Sequence, residues 1–62
     1  MQVAEVVEQA RKEKGWSTAE LARRTGIEYQ SLWQSLNGER RIPANEFVEL
    51  CMQLGLGIED FK

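Results

Sequence analysis

The stretch TGIEYQSLWQSLNG, residues 25–38, gathers the side chains best suited to chemistry outside a core. On a helix, neighbours three and four positions apart share a face. Tyr29, Gln30, Trp33, Gln34 and Asn37 then form one connected strip, while Leu32, helped by Leu36, turns the other way. An outward strip of amides and aromatics has little structural use in a small monomer. It does suit a major groove, which a helix can enter: there a glutamine can bond adenine N6 and N7 in a bidentate way, and an apolar group can touch a thymine methyl. The same aromatics are also what a protein-interface hot spot is made of. Trp33 has three open roles: packing back over Tyr29 or Asn37, touching DNA, or anchoring a protein partner.

The elements that must hold this strip are helical from end to end, with no alternating β-rich run. Val3, Val6, Val7 and Ala10 make one apolar stripe, Glu8 can meet Lys12 on the outside, and Arg11 to Lys14 followed by Gly15 form a helix C-terminus. This predicts a first helix over about residues 2–14. Ser17 followed by Glu20 is a capping box, and Trp16 can close over Leu21 as a hydrophobic staple. A short second helix, about 18–24, ends at Gly26, which can take the left-handed conformation that reverses the chain. The third helix runs from Glu28 or Tyr29 to Leu36, with Ile27 as a staple against Leu32, and Asn37-Gly38 stops it. After the RRIP loop, Phe47, Leu50, Cys51 and Leu54 mark a fourth helix over about 45–54, and Leu56, Ile58 and Phe61 a closing turn.

Composition sets the outer bounds. A chain of 62 residues makes one domain, and at this size only about 60% of the unfolded surface is buried. The apolar fraction of 42% and charged fraction of 29% are those of a folded globular domain rather than a disordered one. There is no apolar run of membrane-spanning length, and the N-terminal segment MQVAEVVEQA carries acids where a signal peptide carries bases. A cytoplasmic protein is therefore expected. Cys51 has no partner for a disulfide, and the absence of histidine removes the zinc-site spacings. With no metal set and no glycine-rich phosphate loop, neither an enzyme nor a cofactor is expected.

The net charge of −2 argues against a simple basic nucleic-acid binder. It is unevenly distributed, however: residues 11–41 carry seven Lys/Arg against four Asp/Glu, and the flanks one against six. A basic face opposed by an acidic back would have this pattern, and so would an evenly solvated mixed surface.

Two short helices joined by a tight glycine-containing turn are the sequence form of a helix-turn-helix. Ala22 is small where the helices cross, and Leu21, Ile27 and Leu32 lock the pair to the domain. The run GWSTAELARRTGIEYQSLWQSLNGERRIP followed by FVELCMQLGLGIEDF resembles the DNA-binding domain of phage Cro and repressor proteins, the xenobiotic-response-element type of helix-turn-helix. The resemblance spans Ala10 to Phe61 and rests on the joint spacing of Ser17, Glu20, Leu21, Ala22, Gly26, Leu32, Asn37, Gly38, Leu50 and Leu54-Gly55.

The resemblance implies an all-α, lambda-repressor-like domain of four to five helices that regulates transcription as a homodimer on a near-palindromic double-stranded DNA operator. It implies base contacts from Tyr29, Gln30 and Gln34, with Trp33 a further candidate, and a phosphate or base contact from Ser31. Phosphate contacts are implied for Ser17, Thr18, Asn37, Arg40 and Arg41, and dimer contacts for Leu56, Ile58 and Phe61. The chain also departs from the pattern. Ser35 stands where an aliphatic residue is usual, and Leu36 where a glutamate often pairs with the helix-one base matched by Arg11. Arg11 is thus expected to be free for a phosphate, and Leu36 to do core duty. Glu28 is a mediocre N-cap that would repel phosphate unless it caps the helix or accepts from cytosine N4. The rival reading is a protein-binding module of the same fold, an antitoxin, antagonist or adaptor that engages a partner through Tyr29 and Trp33.

Overall fold

Four helices form where the apolar stripes and stop signals place them. The computed structural model describes residues 2–62. Helix α1 spans Val3–Lys14, α2 Thr18–Thr25, α3 Tyr29–Leu36 and α4 Ala44–Leu54, and a single 3-10 turn follows at Ile58–Phe61. No strand occurs among the described residues, so the fold is all-α as expected. The radius of gyration, 10.3 Å, matches the roughly 10.6 Å expected of a folded chain of this length.

Local chemistry accounts for each boundary near the strip. The Ser17 hydroxyl accepts the Glu20 N–H at 3.0 Å and starts α2. The expected capping box is only half formed, because the Glu20 carboxylate turns instead to Arg23 and Arg24. Gly26 ends α2 at φ 74° and donates its N–H to the Ala22 carbonyl at 2.9 Å; any side chain there would strain the backbone. Gly38, at φ 78°, closes α3 in the same region, with the Glu39 N–H reaching back to the Gln34 carbonyl at 2.8 Å.

The core is Val7, Ala10, Leu21, Ala22, Ile27, Leu32, Leu50 and Leu54, flanked by the partly buried Trp16, Leu36, Ile42, Leu56 and Phe61. Every helix contributes to it. Ala22, 7% exposed, is as small as the α2–α3 crossing requires. The expected stripe of α1 is buried only in its C-terminal half: Val7 is inaccessible, whereas Val3 is 39% exposed. On α4, Leu50 and Leu54 are buried, while Phe47 and Cys51 are half-buried and Phe47 packs against Phe61 with ring centroids 5.1 Å apart. Burial raises the Cys51 thiol pKa, with the Asp60 charge adding to it, which keeps this sulfur protonated and unreactive.

Candidate nucleic-acid interface

Helix α3 presents two chemically different sides. Leu32 and Ser35 are each 1% exposed and face the core, with Leu36 half-buried beside them. Opposite them, Tyr29 is 48% and Trp33 39% exposed, and Gln30 and Asn37 are exposed as well. Gln34 is half-buried at the margin. The strip is therefore outward and continuous, and no hydrogen bond within the chain engages the Gln30 or Gln34 amide among the described residues. Both amides keep their donors and acceptors for an outside partner.

The entrance to α3 is held by Glu28. One of its carboxylate oxygens accepts both the Ser31 N–H and the Ser31 hydroxyl, each at 2.9 Å. Glu28 is thus a working N-cap rather than a stray charge, and the Ser31 hydroxyl proton is already committed. Asn37 spends one amide proton on the Trp33 carbonyl at 2.8 Å and keeps the other. The Ser17 hydroxyl accepts from the backbone and can still donate outward from the start of α2; half-buried Thr18 follows it as the first residue of that helix.

The arginines differ from one another more than their letters suggest. Arg11 is not free, contrary to expectation. Its Nε and Nη2 donate to the Glu8 carboxylate at 3.0 and 2.6 Å, and its Nη1 donates to the Trp16 carbonyl at 2.6 Å. The missing family pair is replaced by one within α1, and the Glu8 partner is Arg11 rather than Lys12. Arg40 is also held in place, by Glu46 of α4 and by Ser35. Arg41, its exposed neighbour, takes part in no ion pair among the described residues. Arg24 stacks its guanidinium 4.2 Å from the Trp16 ring centroid, with the Lys14 ammonium 5.7 Å away, so Trp16 serves both as a staple over the core and as a platform for cations. The Glu28 cap could be weighed from sequence spacing; the Glu46–Arg40 link crosses a loop and leaves no periodic signal.

A model of the helix-turn-helix domain family matches residues 2–60, nearly the whole chain. The protein belongs to the helix-turn-helix domain family. No curated protein and no solved structure matches it. Within the helix-turn-helix frame, α2 and α3 are the paired helices, joined through Gly26. Membership points to DNA as the partner and to regulation of transcription as the role. Of the residues expected at a dimer face, Leu56 and Phe61 pack against the core, while Ile58 is 81% exposed. No described helix is long and apolar enough to cross a membrane.

The helix-turn-helix domain should lose stability on acidification. Hydrogen bonds hold three carboxyls below their ordinary range: from Arg11 to Glu8, from Arg23 to Glu20, and from the Ser31 hydroxyl to Glu28. A group whose pKa is lower folded than unfolded binds more protons when unfolded, so its stabilisation is complete above the ordinary value near about 4.3 and is lost as pH falls through the folded value. The thermal midpoint is expected to drop steadily below that range. A midpoint that stays flat or rises there would mean these carboxylates contribute nothing.

Proposed function

We propose that the chain is a sequence-specific regulator of transcription of the phage or prophage Cro/repressor kind, with α3 seated in the major groove of double-stranded DNA. The observation that carries this reading is the outward strip of α3, where the Gln30 and Gln34 amides make no hydrogen bond within the chain among the described residues. Gln30 and Gln34 offer bidentate amides to adenine, and Tyr29 and Trp33 offer apolar and aromatic surface. The N-terminus of α2, with Ser17 and Thr18, points backbone N–H groups and partial positive charge toward phosphate. Asn37 and Arg41 flank the other end of α3 and serve the same purpose. Ser31, Arg11 and Arg40 would each have to surrender an internal hydrogen bond to join them. In this reading two copies bind inverted half-sites about one helical turn apart, and regulation is by occupancy, with no cofactor.

Because Arg41 is exposed and has no ion-pair partner among the described residues, Arg41→Ala should weaken binding to every sequence alike and lower the slope of log K against log salt by about 1. An unchanged slope would remove Arg41 from the phosphate contacts. The reading as a whole is tested by selection from a randomised duplex pool at about 50 and 200 mM salt, a range over which phosphate-driven affinity falls steeply. A recovered motif with two inverted half-sites is the expected result, and a single half-site would leave a monomeric reader. No enrichment, with binding lost at the higher salt, would transfer the strip to a protein partner that covers Tyr29 and Trp33.

A further inference from the structure

We infer that Arg40 is a positioning residue for the recognition helix: anchored by Glu46, it holds the buried Ser35 hydroxyl and so fixes how α3 is presented. This rests on the proposal that α3 reads DNA. Helix α3 packs closely on α1 and α2 but has no comparable approach to α4, and Arg40 spans that gap. Its Nη1 donates to Ser35 Oγ at 3.0 Å, with the Ser31 carbonyl a longer, shared acceptor at 3.4 Å, both on α3. The same nitrogen and Nη2 reach the two Glu46 oxygens on α4 at 3.0 and 3.1 Å. A two-pronged carboxylate contact sets the plane of the guanidinium as well as its position.

Burial gives the arrangement its consequence. Ser35 is the buried polar residue among the described residues, at 1% exposure, in a position where an aliphatic side chain would simply pack. The Arg40 and Glu46 side chains are 28% and 19% exposed, so salt screens their pair less than a surface pair. For Arg40 to grip a phosphate it would have to release Glu46 and leave the Ser35 hydroxyl without its donor, a buried polar group in deficit. Exposed Arg41 can do that work without such a loss.

The test uses Glu46→Gln and Arg40→Lys in the whole chain, with two readouts: amide exchange along α3 in the free protein, and the salt dependence of binding to the selected duplex. Glu46→Gln should speed exchange of the α3 amides about tenfold relative to those of α1 and lower affinity for the selected site, with an unchanged salt slope. Arg40→Lys keeps the charge but not the fork, and should do the same. If Arg40 is instead a phosphate contact, Glu46→Gln frees it: binding tightens, the slope steepens and α3 exchange does not move, which overturns the inference. A rise in exchange shared equally by all helices also overturns it. Should the protein bind no duplex at all, the DNA reading falls, while the exchange measurement still decides the role of Arg40.

Discussion

Leu32→Ala is expected to cost about 2 to 5 kcal/mol, the range for deleting a buried leucine. Leu32 is 1% exposed and sits in the cluster with Leu21, Leu50 and Leu54. Total stability for 62 residues, at about 0.05–0.15 kcal/mol per residue, is about 3–9 kcal/mol, so this single truncation removes a large share of the fold. Urea unfolding followed by helix dichroism checks it. The control is Tyr29→Ala on the opposite side of the same helix, whose side chain is about half exposed and whose removal should shift stability by no more than about 0.5 kcal/mol. Equal losses for the two variants would mean that α3 is not anchored by one side only, and the strip would lose its standing as a free surface.

The second large effect falls on recognition rather than stability. Gln30→Ala should cost about 1 to 3 kcal/mol at one base pair and relax specificity there, while the fold is untouched because Gln30 is exposed and its side chain makes no hydrogen bond among the described residues. Each 1.4 kcal/mol is about tenfold in affinity, so competition between the selected duplex and single-base variants resolves it. A loss that is the same on every duplex would take Gln30 out of base reading and leave Gln34 and Tyr29 as the remaining readers.

Why the chain folds as it does was largely written in local signals. Ser17 and Gly26 bracket α2, and Asn37-Gly38 closes α3; each is a short-range device whose meaning survives without knowledge of the partner helix. The inward turn of Leu32 followed from helical spacing alone. What spacing could not reveal is which acid a base would choose. Glu8 has Arg11 and Lys12 within reach on the same face, and the choice of Arg11 depends on the Trp16 carbonyl completing its cradle. Arg40 finds Glu46 only once the loop has folded and α4 has docked. Glu28 looked like a repulsive charge at the groove because its value as a cap depends on where its carboxylate points. Spacing therefore picks out side chains by type and face more readily than by whether their hydrogen bonds are still available.

Four of the five arginines are already matched with carboxylates of the same chain: Arg11 with Glu8, Arg23 and Arg24 with Glu20, and Arg40 with Glu46. Sequence-independent attraction to a duplex depends on counterion release by unmatched cations, and an acidic chain with most of its arginines so matched has little of it. In the proposed role, such a protein would stay in solution in a chromosome crowded with decoy sites rather than be soaked up by bulk DNA, and its distribution would follow the groove contacts of α3. In that role the same self-neutralisation would slow its search by sliding, so the number of copies, rather than the length of DNA each one scans, would set how quickly an operator is filled.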